Sequence, residues 1–224
     1  MKLVHPHIER KIVFDEEHIN ILCIENKKMF ISIVEELLEQ AKSNDGRFVL
    51  SDEKKDYEFK KWVETIPSPF LIDFSNKKFI NKVINDLSSI SFDSEFYPST
   101  VDLFSKVQEW LLSLADQLTY DIDITDELDE GALIKSLGVH LSYDEETLLT
   151  RLTDYVCLCN EILKSKLIIL FNIHDLFTES ELELFYKTVL GNKINVLIIE
   201  SRSYDRFSNI ENYHLIDNDL CEII

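Results

Sequence analysis

Apolar positions along this chain fall into two rhythms, short unbroken runs and longer stretches at helical spacing, and their alternation predicts an α/β protein. Residues 11–14, 19–24, 48–50 and 70–74 are short apolar runs that predict strands. Residues 167–171 and 196–199 are the clearest of these, and near-continuous apolar runs suit a parallel sheet covered on both faces. A helical pattern at 178–190 connects those two strands as one strand–helix–strand unit. Residues 120–124 alternate polar and apolar and predict one further short strand.

The helical stretches begin with 28–42, where Phe30, Ile33, Val34, Leu37, Leu38 and Ala41 share a face and Asn44-Asp45-Gly46 supplies the stop. Residues 52–61 are charged and read as a loop or an exposed helix face. Two long patterns follow at 77–90 and 99–118, the second opening after Pro98. They predict an antiparallel helical hairpin inserted in the α/β core. A short helix at 129–137 ends at Gly138, and a longer one is predicted over 144–164.

The four glycines change this picture. Gly46, Gly131, Gly138 and Gly191 are too far apart to form a phosphate loop or a dinucleotide fingerprint, whose closely spaced glycines bring backbone N–H groups to an anion. A framework of the nucleotide-binding kind therefore lacks the usual means of holding a nucleotide, which points to binding or architecture rather than turnover. Residues 167–171 with Asn172 and Asp175 resemble a Walker B strand, but without a Walker A partner that signal is weak and they read first as a core strand followed by a polar loop. Cys157 and Cys159 are two apart on a predicted helix and face different ways, so they make a poor zinc pair. Asp56, Glu58 and Lys60 faintly resemble a nuclease triplet, of a kind that a chain with 29% charged residues also produces by chance.

Charge adds a constraint. The net charge is −19, and residues 111–224 hold 22 acids against 8 bases. That average field opposes nucleic acid, whose binding rests on neutralised phosphates, so any such role needs local basic surfaces, an oligomer or divalent cations. The basic candidates are Lys54, Lys55, Lys60 and Lys61, a second group at Lys77, Lys78 and Lys82, the separate Lys106, Lys135 and Arg151, and Arg202 and Arg206 after the last buried strand. Asp116, Asp121, Asp123, Asp126, Glu127, Asp129 and Glu130 crowd together with no lysine or arginine among them. This segment reads either as a solvated acidic loop or as a divalent-cation site, since Ca²⁺ takes oxygen ligands in flexible geometry. No apolar run approaches the roughly 20 residues of a membrane span. The N-terminal segment carries frequent charges and no apolar core, and the four cysteines read as reduced thiols, so a cytoplasmic location is expected.

Several stretches, in order, resemble one family. They are Ala132 to Val139 (an "LIK-x-LGV" segment), Lys166 to Asn172, Leu176-Phe177-Thr178 before an acidic helix, Val196 to Glu200 followed by Arg202, Tyr204 and Asp205, and Tyr213 to Asp217. Together they resemble the small CRISPR-associated adaptation protein of type II-A systems, whose members form rings and bind double-stranded DNA ends. The resemblance implies an α/β head with a degenerate nucleotide-binding, P-loop-like core lacking Walker A, built from 1–75 and 145–224, and a helical leg inserted at 76–144. It implies a non-catalytic homotetrameric ring threaded by duplex DNA, working beside the CRISPR integrase and the RNA-guided nuclease. It implies Ca²⁺ held by leg carboxylates, for which Asp116, Asp121, Asp123, Asp126 and Glu127 are the candidates. The matching stretches do not themselves mark DNA contacts; the candidates come from the basic positions, Lys106, Lys135 and Arg151, with Lys54, Lys55, Lys60 and Lys61 beside them. The alternative is an acidic protein-interaction module or DNA mimic.

Overall fold

The computed structural model describes residues 1–123, 129–141 and 147–223. They form two compact units, Met1–Asp73 with Tyr143–Ile224, and Phe74–Ser142.

The larger unit is built on two sheets. A four-stranded antiparallel sheet has the order β2 (Ile8–Val13), β1 (Lys2–His5), β4 (Val49–Ser51), β5 (Asp56–Tyr57). A six-stranded sheet has the order β10 (Glu222–Ile223), β9 (Glu211–Ile216), β3 (Ile19–Ile24), β8 (Val196–Glu200), β7 (Leu167–Phe171), β6 (Val63–Ile66). All its neighbours are parallel except β10, which pairs antiparallel with β9. β3, β7 and β8 are buried at every position, as strands covered on both faces must be.

Alternation along these strands divides the core. Leu22, Ile24, Leu167, Ile169, Leu197 and Ile199 join one cluster with Leu3, Leu50 and Phe48, and with Ile33 and Leu37 of α1 (Lys27–Ser43). Their sheet neighbours Ile168, Leu170 and Ile198 point to the opposite face. There α6 (Leu148–Glu161) and α7 (Glu179–Gly191) pack together and bury Leu152, Val156, Phe185 and Val189. At the end of α1, buried Gln40 donates to the Phe48 carbonyl at 2.7 Å and accepts from the Phe48 N–H at 3.0 Å, so no polar group is orphaned. A Cβ on Gly46 would lie 2.3 Å from the Gln40 side-chain oxygen, so this turn requires glycine.

The predicted strand at 70–74 is absent. Pro69–Leu71 is a single 3-10 turn, and Phe70 and Leu71 are 61% and 76% exposed. The edge strand is instead β6, whose half-buried Glu64 and Thr65 break the apolar run that marks a central strand. Residues 120–123 form no strand either. The charged stretch 52–61 folds as β5 followed by α2 (Phe59–Trp62).

The smaller unit contains α3 (Lys77–Ser91), α4 (Tyr97–Ala115) and α5 (Glu130–Ser136). The expected α3–α4 hairpin does not form along its length. α3 packs on α5, where Gly131 approaches Ile84 and Ser88, while α4 is tied to the end of α3 by a 3.0 Å bond from Thr100 Oγ1 to the Ser91 carbonyl. The chain then turns at Gly138, whose φ of +70° favours glycine. Among the described residues, no helix is long and apolar enough to cross a membrane.

Candidate functional site

The parallel pairing of β6 with β7 creates the one place, among the described residues, where several lysines converge on one aromatic ring. Trp62 ends α2, and its carbonyl accepts from the Lys166 N–H at 2.7 Å. The ammonium groups of Lys55, Lys61 and Lys166 lie 5.7, 5.1 and 5.7 Å from the indole centroid. Tyr57 meets Trp62 edge-on at 5.9 Å, and Lys55 also sits 5.1 Å over the Tyr57 ring. Asp52 shapes the loop that carries these lysines: its carboxylate accepts from the Lys54 and Lys55 N–H groups and from the Tyr57 hydroxyl. The Tyr57 bond, then the two backbone bonds, hold the Asp52 pKa down to about 2.

Each such cation–ring contact contributes roughly 0.5–1 kcal/mol at an exposed site. Crowded ammonium groups also repel one another, and a bound polyanion replaces that repulsion with attraction. Several other bases in this acidic chain have acidic partners: Lys106 with Asp102 at 2.6 Å, Lys187 with Glu183 at 3.1 Å, Lys193 with Glu16 at 2.8 Å and Arg47 with Glu36 at 2.5 Å. Lys55, Lys61 and Lys166 form no ion pair with any described residue. Lys166 also borders a polar cavity of about 380 Å³ with Lys164, Asn160 and Asn192.

The other sequence candidates lie elsewhere. Lys54 and Lys60 flank the Trp62 cluster, and the Lys60 N–H is taken by Asn44 Oδ1 at 2.7 Å. Glu58 accepts from Asn44 Nδ2 at 2.7 Å, so this part of the supposed nuclease triplet joins the end of α1 to α2. Lys135 shares a cavity of about 420 Å³ with Lys77 and His140 in the smaller unit. Arg151 is half-buried on α6 of the larger unit. Asp116 caps the end of α4, and Asp121 and Asp123 are exposed. Asp129 is consumed as the N-cap of α5, accepting from Ala132 N–H at 2.7 Å. Asp126 and Glu127 lie outside the described residues. Among the described residues no group of three or more His, Cys, Asp or Glu is placed to share a metal ion. Trp62, Tyr57 and Lys166 are not among the sequence candidates for DNA contact, although aromatics interleave the basic run Lys54-Lys55-Asp56-Tyr57-Glu58-Phe59-Lys60-Lys61-Trp62, itself a sign of a polyanion surface.

A second, buried constellation lies on the α7 face of the larger sheet. His174 Nδ1 is 2.6 Å from Glu200 Oε1, and Nε2 is 2.8 Å from the Tyr186 hydroxyl, which donates to Glu211 Oε1 at 3.1 Å. Tyr204 stacks on the imidazole at 4.0 Å and donates to Glu211 at 3.4 Å. Glu200 also accepts from the Ile173 and His174 N–H groups at 3.0 and 3.2 Å. This chain of bonds is complete only when both ring nitrogens carry protons. Nδ1–H then donates to Glu200, Nε2–H to the Tyr186 oxygen, and the tyrosine to Glu211. Burial pulls the His174 pKa down, but bonds and charge from Glu200 and Glu211 outweigh it and leave the pKa raised. Asn172, which the Walker B comparison singles out, accepts from Ser201 N–H at 2.8 Å and joins the ends of β7 and β8.

The fold and these surfaces define a mixed α/β protein carrying a separate helical unit, with Lys55, Lys61 and Lys166 gathered around Trp62 at the β6–β7 edge. Residues 40–220 match the family model described as CRISPR-associated protein (Cas_Csn2). The chain belongs to that family, the CRISPR-associated family of type II-A systems. The match begins well before the motifs that carry the resemblance and takes in α2, β6 and the Trp62 cluster. A comparison with curated proteins gave no match.

Proposed function

We propose that this protein is a non-catalytic, ring-forming protein that binds double-stranded DNA ends during CRISPR spacer acquisition in the cytoplasm, beside the integrase and the RNA-guided nuclease of its system. The observation that carries this reading is the convergence of Lys55, Lys61 and Lys166 on Trp62 in a chain whose net charge is −19. Such a chain meets DNA only through a local basic surface, and around Trp62 three lysines without an ion pair converge on one aromatic ring. The parallel sheet without a glycine-rich phosphate loop supports a degenerate P-loop-like core. Assembly is supported by the apolar surface of α4, where Val101, Leu103, Trp110, Leu112 and Leu114 are each at least 46% exposed. We assign Ca²⁺ to the acidic stretch, through Asp116, Asp121, Asp123, Asp126 and Glu127, as a counter-charge that lets DNA approach.

A gel-shift titration of linear and closed-circular duplex, with and without Ca²⁺, tests the reading. Linear DNA is expected to bind without sequence preference, with affinity falling steeply as salt rises. Equal binding to closed circles removes end-threading, and no binding to either removes the DNA role. In that case the net charge favours the second reading, an acidic protein that occupies a basic groove on a protein partner.

A further inference from the structure

The carboxyl ends of β7 and β8 frame a crevice of about 270 Å³ that the DNA reading does not use. Ligands of parallel sheets characteristically bind at this end, and a helix N-terminus there normally presents free N–H groups to an anion. Here the polarity is reversed. The start of α7 is occupied by its own capping box: Glu181 accepts from the Thr178 N–H at 2.8 Å, and Thr178 accepts from the Glu181 N–H at 3.4 Å. Asp175, Glu179, Glu200 and Asp205 line the crevice against two cationic groups, Arg202 and His174.

Behind this wall sits Glu211, fully buried, with Oε1 3.6 Å from His174 Nε2 and Oε2 without any hydrogen-bond partner. Even with Arg206, whose guanidinium donates to the Glu211 carbonyl, the carboxylates Asp175, Glu179, Glu200, Asp205 and Glu211 outnumber the cationic groups His174, Arg202 and Arg206. The remaining walls are aromatic. Phe177, Tyr204 and Phe207 line the space, and the stack of Tyr204 on His174 holds one wall in place.

We propose that this crevice binds a small organic cation, a free amine or guanidine, with Asp205 and Glu179 holding its charge and the aromatic walls holding its carbon chain. Rings beside carboxylates suit such a cation, because the face of each ring is itself electronegative. The space is just under the roughly 300 Å³ at which drug-sized sites begin, so the ligand is a short molecule. A nucleotide is disfavoured here, since its phosphates would meet four carboxylates and an occupied helix start. The inference is independent of the DNA reading and of the state of assembly.

Isothermal titration of the full chain with agmatine, spermidine and ATP, in about 0.2 M salt to suppress diffuse surface binding, tests it. The expected result is one agmatine or spermidine bound per chain, and no ATP. The double variant Asp205→Asn with Glu179→Gln, both on exposed residues, is expected to weaken binding at least about tenfold, or 1.4 kcal/mol. Arg202→Ala, which removes the competing rim cation, is expected to tighten it. The control double variant Asp102→Asn with Glu109→Gln on α4 is expected to change nothing. Absence of amine binding overturns the proposal. So does equal loss in the control, which marks diffuse attraction to an acidic surface, and so does binding of ATP in place of the amines.

Discussion

Replacing His174 by phenylalanine keeps a ring against Tyr204 but removes both nitrogens that join Glu200 and Tyr186. Glu200 then retains only the Ile173 and His174 N–H groups, and Glu211 retains only tyrosine hydroxyls as side-chain donors. Both carboxylates are buried, at 3% and 0% exposure, so neither recovers its solvation from water. Removing one partner of a buried, hydrogen-bonded charge pair costs about 3–5 kcal/mol. At roughly 2–4 °C per kcal/mol for a chain of this size, melting of the larger unit should fall by about 6–20 °C at pH 6. The raised pKa fixes the sign of the pH dependence. The imidazolium contribution is fully present below the ordinary histidine value of 6.5 and is lost as pH rises through the higher folded-state value. The gap between wild type and variant should therefore narrow from pH 6 toward pH 9. The difference is the quantity to follow, because His5 and His214 have lowered pKa values and add an opposite slope common to both proteins. Asp175, Arg202 and Arg206 also border this region, and Arg206 donates to the Glu211 carbonyl. All three are present in both proteins. Scanning calorimetry at several pH values measures the gap. A gap below about 1 kcal/mol at pH 6, or one that does not change with pH, would falsify the assignment of a doubly protonated His174. Glu211→Gln gives a second check, since it should flatten the same pH dependence while leaving the ring in place.

Three further outcomes are expected. Trp62→Ala combined with Lys166→Glu should weaken DNA binding by at least about tenfold in a gel shift and reduce the slope of affinity against salt, because a phosphate contact and the platform that orders it are both lost; an unchanged slope excludes this surface. Replacing Asp123, Asp126 and Glu127 with their amides should abolish any rise in melting temperature produced by Ca²⁺, and a wild-type protein whose melting ignores Ca²⁺ removes the site. Leu197→Ala, in a position 1% exposed between the two layers of the larger unit, should cost about 2–5 kcal/mol in denaturant melts, whereas the same change at exposed Leu184 on α7 should cost far less.

Much of the scaffold was legible along the chain because burial writes a local signature. Residues 167–171 and 196–199 are apolar at every position since both faces of β7 and β8 are covered, and α1 shows its buried face in Ile33 and Leu37. The same signature misled at 70–74, where the apolar side chains of Phe70 and Leu71 face out, and it passed over β6, whose Glu64 and Thr65 tolerate partial exposure at a sheet edge. Periods of 2 and 3.6 residues record that a residue is buried, and they carry no record of what it is buried against. Strand order settles that. Only the parallel pairing of β6 with β7 carries Lys166 to Trp62, and only the placement of β9 beside β3 brings Glu211 within reach of His174, Tyr186 and Tyr204. Missing glycines, excess acid and the helical patterns belong to the chain itself. The choice of α5 over α4 as the partner of α3, the unpaired lysines around one indole and the acidic crevice exist only once distant segments have been packed together.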